Sequence, residues 1–265
     1  MKKILALTLA LVMVLSLVAC GKKAEPASES ATPTIDAIKE KGKLVVMCNA
    51  AFPPFEYVNS EGKITGVDMD LAQKVADKIG VELEIVDMNF DLLIDALKNG
   101  KGDLVASGMT ARPDRAEIID FSTIYISMGL KVIIPVGSEI KTFDDLDGKK
   151  IAVQEATTAD IYAQENYKNA QLLEFKSAVD ASNAVKSGNA DCAIVDMLPA
   201  EYLTTQSPDA IQLMPDLLSA ENTAMGVAKG HEDFLAVVNE VLETAMKDGF
   251  LDDSFNKHME NFSLE

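Results

Sequence analysis

The sequence is poor in the residues that carry metal and thiol chemistry, with two histidines and three cysteines in 265 residues. Three cysteines cannot build a disulfide framework, and two histidines leave little material for a zinc site, so no metal and no cofactor is expected. Basic residues are also scarce, 24 Lys and Arg against 42 Asp and Glu, for a formal net charge of -18. A chain of that sign is repelled by a phosphate backbone, which argues against a nucleic-acid partner. Long apolar runs are missing beyond the first twenty residues, and a polytopic membrane protein is thereby excluded. What is present, 48% hydrophobic and 25% charged residues, is the composition of a globular protein with room for one large or two ordinary domains.

Lys2 and Lys3 precede an apolar run from Ile4 to Val18 that only Thr8 and Ser16 interrupt. That run has signal-peptide length and is short for a spanning helix. It ends Leu17-Val18-Ala19-Cys20-Gly21, which resembles the lipobox of bacterial lipoproteins. The resemblance implies removal of residues 1–19, a diacylglycerol thioether on Cys20, and acyl chains that anchor the protein on the outer side of the cell membrane. An ordinary secretory signal with an incidental cysteine is the plainer alternative. The remainder of residues 20–34, rich in Ala, Ser, Pro, Glu and Thr, has no periodicity and reads as a flexible tether.

From Leu44 onward short apolar strands alternate with amphipathic helices, which predicts an α/β fold built on largely parallel sheets. Strands are expected at Leu44 to Cys48, Leu83 to Val86, Asp103 to Ser107 and Leu130 to Ile134, then at Ile151 to Val153, Leu172 to Phe175 and Cys192 to Val195. Asp68 is expected to cap a helix that Gly80 ends, Phe90 to Lys98 to be helical, and Glu232 to Lys247 to close the chain. ALKNGKGDLVASGM from Ala96 aligns without gaps on AVKSGNADCAIVDM from Ala184, with Ala, Lys, Gly, Asp and Met matched, so two lobes of similar build are expected. Ligands of open α/β sheets lie beyond the carboxyl ends of strands, which makes Ser107, Gly108 and Asp196 candidates for a cleft.

The stretches FPPFEY at Phe52, GKITGVDMDLAQKVADKIGV at Gly62, GMTARPDR at Gly108, IIDFS at Ile118 and VQEATT at Val153 occur in one order and spacing. Together they resemble the type II solute-binding proteins of polar amino-acid ABC importers, such as the glutamine and lysine-arginine-ornithine binders. The resemblance implies a two-lobed periplasmic-binding-protein-like clamp. Residues 35–127 with 218–265 would form one lobe and residues 128–217 an inserted second, joined by crossovers near Ile126 to Met128 and Pro215 to Asn222. By position in these motifs, Arg115 is implied to bind the ligand carboxylate by two parallel N–H bonds, with Thr110 and the helix start at Thr157 and Thr158 beside it. Asp196 is implied to accept from the ammonium, assisted by Ser107 and the Gly108 carbonyl, with Phe52 and Phe90 sandwiching the side chain. Asn49 stands where basic-ligand members often carry Asp and Gln154 is uncharged, which implies a neutral polar ligand over a cationic one. Ala156 stands where the family usually has Gly, and Arg112 where it usually has Thr.

The function implied is capture of a polar amino acid by lobe closure and delivery to an ABC permease with its ATPase, by a monomer that breaks no bonds. A sensory binding protein docking a receptor is the first alternative, and an enzyme on the same fold, akin to amino-acid dehydratases or murein-cleaving enzymes, the second. Cys48 and Cys192 fall in different lobes and are expected as buried thiols. His231 and His258 stand in polar surroundings of the sequence, distant from the motifs, and no metal role is expected for them.

Overall fold

The structure, a computed structural model, describes residues 34–260; the expected signal peptide and Cys20 lie outside the described residues. The chain opens with α1 (Thr34–Lys41) and β1 (Lys43–Cys48), then a small antiparallel sheet of β2 (Ala51–Phe52), β3 (Glu56–Val58) and β4 (Ile64–Thr65). Then follow α2 (Val67–Ile79), β5 (Glu82–Asp87), a 3-10 turn at Phe90–Leu92 leading into α3 (Leu93–Lys98), β6 (Leu104–Val105), α4 (Pro113–Ala116) and β7 (Ile119–Phe121). The second half comprises β8 (Ile126–Met128), β9 (Leu130–Pro135), β10 (Lys150–Gln154), α5 (Thr158–Asn166), β11 (Gln171–Phe175), α6 (Ala178–Lys186), β12 (Cys192–Asp196), α7 (Met197–Thr205) and β13 (Ile211–Leu213). The chain returns through β14 (Glu221–Thr223) and β15 (Gly226–Ala228) to α8 (Glu232–Lys247) and α9 (Phe250–Glu260).

Two five-stranded sheets organise these elements, in the orders β5-β1-β6-β15-β7 and β11-β10-β12-β9-β13. β1 pairs in parallel with β5 and β6, and β10 with β11 and β12. Leu44 through Cys48 and Ile151 through Gln154 are buried without alternation, as strands paired on both edges and covered on both faces must be. The sheets are more mixed than expected, because β15 runs antiparallel to β6 and β7, and β9 antiparallel to β12 and β13. The cause is the connectivity. β8 carries the chain from the first sheet to the second and β14 brings it back; these two strands pair antiparallel, Ile126 opposite Thr223 and Met128 opposite Glu221.

The aligned segments at Ala96 and Ala184 adopt the same structure. Each helix stops at a left-handed glycine, Gly100 (φ 67) or Gly188 (φ 75). Each aspartate then pairs with the central strand in both directions. Asp103 N donates to Val45 O and its Oδ2 accepts from Val45 N, both at 2.8 Å; Asp191 N donates to Lys150 O at 2.9 Å and its Oδ2 accepts from Lys150 N at 2.8 Å. These aspartates act as clips that dock the incoming strand at a fixed register.

Three expectations need correction. Asp68 does not cap its helix: Gly66 holds the N-cap position (φ 138), where an added Cβ would lie 2.1 Å from the Phe55 carbonyl oxygen, while Asp68 sits buried in the first turn. Its Oδ2 accepts from Gly108 N at 2.8 Å and its Oδ1 from the Tyr125 hydroxyl at 2.6 Å. The chain does not close with α8, since α9 follows it. His258, on α9, is buried and within reach of the motifs: its Nδ1 lies 3.0 Å from the Tyr57 hydroxyl and its Nε2 2.9 Å from Asp70 Oδ2. Cys48 and Cys192 are free and buried, one in each sheet.

Candidate functional site

A pocket lies between the carboxyl ends of the two sheets. Its wall on the first side is built from Asn49 beyond β1, Phe52 of β2, Phe90 at the 3-10 turn, Ser107, Gly108 and Thr110 beyond β6, and Arg115 of α4. The second side gives Gln154 at the end of β10, Thr157 and Thr158 at the start of α5, and Asp196 at the end of β12. Every residue singled out above for ligand contact thus meets in one cavity, brought there by the strand-end rule. Glu56, which begins β3, lines it as well and was not anticipated.

Arg115 is only 6% exposed, yet both of its hydrogen bonds go to carbonyl oxygens, Nη1 to Thr110 O and Nη2 to Ala156 O, each at 3.0 Å. Its guanidinium carbon stands 5.3 Å from the centroid of the Phe90 ring. Burial lowers its pKa to about 10, so it stays cationic at neutral pH. A buried cation without a bonded carboxylate is costly, and an anion entering the pocket relieves that cost. Arg112, at the N-cap of α4, is instead spent on a partly exposed ion pair, its Nε donating to Asp114 Oδ1 at 2.9 Å.

Across the pocket Ala156 adopts φ 62, the left-handed conformation a glycine would take without strain. This turns its carbonyl toward Arg115 while its N–H donates to Asp160 Oδ2 at 3.0 Å. Thr157 caps α5, its hydroxyl accepting from Asp160 N at 3.3 Å and donating to Gln154 O at 2.7 Å. The N-terminal turn of α5 at the pocket wall therefore adds positive potential to the Arg115 side.

Asp196 holds the N-cap position of α7 but makes no side-chain cap bond, so helix capping does not account for its carboxylate. It is 5% exposed and its Oδ1 is buried without a hydrogen-bond partner. Burial first, and then the charge of Glu221, push its pKa up to about 7. Arg115 opposes this shift, and a cation bonded to the Asp196 carboxylate would oppose it further.

Asn49 and Gln154 join the two sheets directly, Gln154 Nε2 donating to Asn49 Oδ1 at 3.0 Å and to Lys176 O at 3.2 Å. Lys176 adds an ion pair to Asp91 at 3.4 Å, and a second to Glu155. Phe52 stacks on Phe55, ring centroids 5.7 Å apart, and lies so close to the backbone that a Cβ on Gly108 would come within 2.6 Å of its ring. Ser107 accepts from Asn49 N at 3.0 Å and gives its hydroxyl proton to Glu56 Oε1 at 2.7 Å. Because the Glu56 carboxyl, an ionisable group, lines the same cavity, a neutral ligand does not follow from those two amides alone. The available signal was an acidic residue set between Phe55 and Tyr57 in an otherwise apolar stretch.

This geometry can be set beside known proteins. The L-cystine-binding protein TcyJ of Escherichia coli K12 is 29% identical over 219 residues, 82% of each chain. The arginine-bound form of a truncated ArgBP from T. maritima is 38% identical with a TM-score of 0.76, covering 79% of this chain and 99% of that one. An ancestral amino acid-binding protein, described as a precursor of cyclohexadienyl dehydratase, is 34% identical with a TM-score of 0.80 over 85% of this chain and 99% of its own. A family model matches residues 44–261, from the second residue of β1 to just past α9. That span takes in both sheets and the pocket between them, and the chain belongs to the bacterial extracellular solute-binding proteins, family 3.

Proposed function

We propose that the protein captures a free polar α-amino acid outside the membrane and delivers it to an ABC permease. The observation that carries this reading is a buried guanidinium and a buried carboxyl in one pocket with no hydrogen bond between them: Arg115 of α4, bonded only to carbonyls, and Asp196 at the end of β12, with one carboxyl oxygen unpartnered. An α-amino acid offers a carboxylate to the first and an ammonium to the second. In this reading Thr110 and the N–H groups at Thr157 and Thr158 add to the carboxylate's cradle, the Gly108 carbonyl and Ser107 stand by the ammonium, and the side chain passes between Phe52 and Phe90 toward Asn49 and Gln154. Commitment of Asp196 to the ammonium supports a reading in which no bond is made or broken.

The lobes are assigned as residues 35–127 with 218–265, and residues 128–217, with β8 and β14 as hinge. Each lobe grips one end of the zwitterion, so bound ligand favours the closed arrangement by its differential affinity and shifts the population toward it. Relatives named for binding cystine and arginine support the amino-acid class. The test is thermal unfolding against all twenty amino acids. At one hundred times Kd a ligand should add about 2.7 kcal/mol of stability. Response to sugars, peptides or metals but to no amino acid would refute the reading.

The lipobox-like end at Cys20 supports a lipid-anchored monomer on the outer side of the membrane, with the tether setting its reach. Mass spectrometry of the mature protein should find a diacylglyceryl group on Cys20 and Ala19 absent. A free, unmodified N-terminus at another residue would rule the anchor out.

A further inference from the structure

Glu56 is fully buried, and its two oxygens have different surroundings. Oε1 accepts the Ser107 hydroxyl at 2.7 Å, whereas Oε2 is buried without a partner. The Ser107 oxygen already accepts from Asn49 N, so its one proton is committed to Glu56. The ionisable groups that act on Glu56 are Asp68 from the first turn of α2 and Asp87 at the end of β5, both of its own sign, with the Cys48 thiol of β1 and the Tyr125 hydroxyl, itself bonded to Asp68, also close enough to feel its charge. The pocket's guanidinium, Arg115, is turned to the Thr110 and Ala156 carbonyls. Glu56 therefore lines the ligand cavity with no countercharge bonded to it. Burial first, and then Asp68, push its pKa well above the usual carboxylate range, and the Ser107 bond offsets only part of this.

Such a carboxyl has two opposite faces. Protonated, Oε2–H is a donor suited to a carbonyl oxygen; ionised, it is an acceptor suited to a cation. We propose that Glu56 is the side-chain specificity residue of this pocket, and that the charge of the incoming side chain sets its protonation. A side chain ending in guanidinium or ammonium is held by the Glu56 carboxylate and binds with release of one proton to solvent. A side chain ending in a neutral amide is held by the retained Oε2–H, which donates to the amide oxygen, and releases none from this group. One pocket thereby accepts two side-chain charges without a buried mismatch in either complex. The proposal rests on the amino-acid reading of the pocket.

Isothermal titration calorimetry tests it on the full mature chain, with L-arginine and L-glutamine as probes in phosphate and in Tris at one pH near 7. The two buffers differ in ionisation enthalpy, so the difference in heat counts protons. Asp196 can release a proton to solvent when any α-ammonium binds, and the informative quantity is therefore the difference between the two amino acids. Arginine should release about one proton more than glutamine, and its affinity relative to that of glutamine should rise about tenfold per pH unit below the point at which Glu56 ionises in the free protein. Glu56→Gln should abolish the difference, weaken arginine by roughly thirtyfold or more, and leave glutamine within a few fold. Equal proton release for both amino acids overturns the switch, and so does arginine binding unaffected by Glu56→Gln; the proton count needs only wild-type protein, so a poorly folding variant does not spoil the test. Amino acids binding without that proton difference removes this inference alone, whereas no heat and no thermal stabilisation with any amino acid removes the capture reading as well.

Discussion

Arg115 and Asp196 show how little of a residue's role lies in its identity. Most arginines are solvated, and an aspartate ahead of a helix usually caps it. Here the arginine is buried against Phe90 and bonded to two carbonyls, and the aspartate leaves an oxygen unpartnered. Arg115→Lys keeps the charge but loses the planar fork that meets a carboxylate with two bonds, and Asp196→Asn keeps the shape but removes the charge opposite the ammonium. Truncating one member of a buried charge pair typically costs about 2 to 5 kcal/mol, so each variant should weaken amino-acid binding roughly thirtyfold or more by calorimetry. Wild-type affinity with intact folding would remove that residue from the site. The motif at Gly108 made Arg115 legible, and the strand-end rule applied to the internal repeat made Asp196 so. Glu56 was not, because its significance comes from an unpaired oxygen in a closed cavity, which depends on where Ser107, Asp68 and the second lobe come to lie.

At the scale of elements, what repeats locally could be read and what depends on long-range connection could not. The helix-glycine-aspartate-strand units at Ala96 and Ala184 could be equated from sequence because Asp103 and Asp191 do their work within one short segment and its neighbouring strand. The antiparallel direction of β9 and β15 is set by the two hinge crossings and leaves no local trace. The burial of His258 follows from α9 folding back on Tyr57 and Asp70, about two hundred residues earlier in the chain. The turn from β10 into α5 yields a prediction at this scale. Ala156 holds φ 62, and a left-handed conformation costs a residue with a Cβ roughly 1 to 2 kcal/mol, part of which glycine gives back through its freer unfolded chain. Ala156→Gly should therefore raise stability by about 0.5 to 1 kcal/mol in urea unfolding, with the Arg115 bond to the carbonyl kept. A loss of stability would mean that the Cβ makes contacts worth more than the strain.

Across the whole molecule the polar ties between the two sheets include Arg115 to the Ala156 carbonyl, Asn49 to Gln154 and Lys176 to Asp91, Tyr57 faces Tyr202 with ring centroids 6.2 Å apart, and one buried apolar cluster holds residues of both, among them Phe52, Ala178 and Val195. The exposed Lys176 pair contributes little, and in the proposed clamp the antiparallel ribbon of β8 and β14 would be the hinge. A ligand bonded to both Arg115 and Asp196 would add a tie between the sheets that exists only when both face one another across it. The most direct test is small-angle X-ray scattering of the mature protein with and without a saturating level of whichever amino acid stabilises it most. The radius of gyration should fall on ligand addition in wild type, and fall less in Arg115→Lys and Asp196→Asn at the same ligand level. A radius that stays unchanged in wild type at saturation, or falls equally in both variants while their affinity is reduced, would contradict closure of the two lobes around one zwitterion.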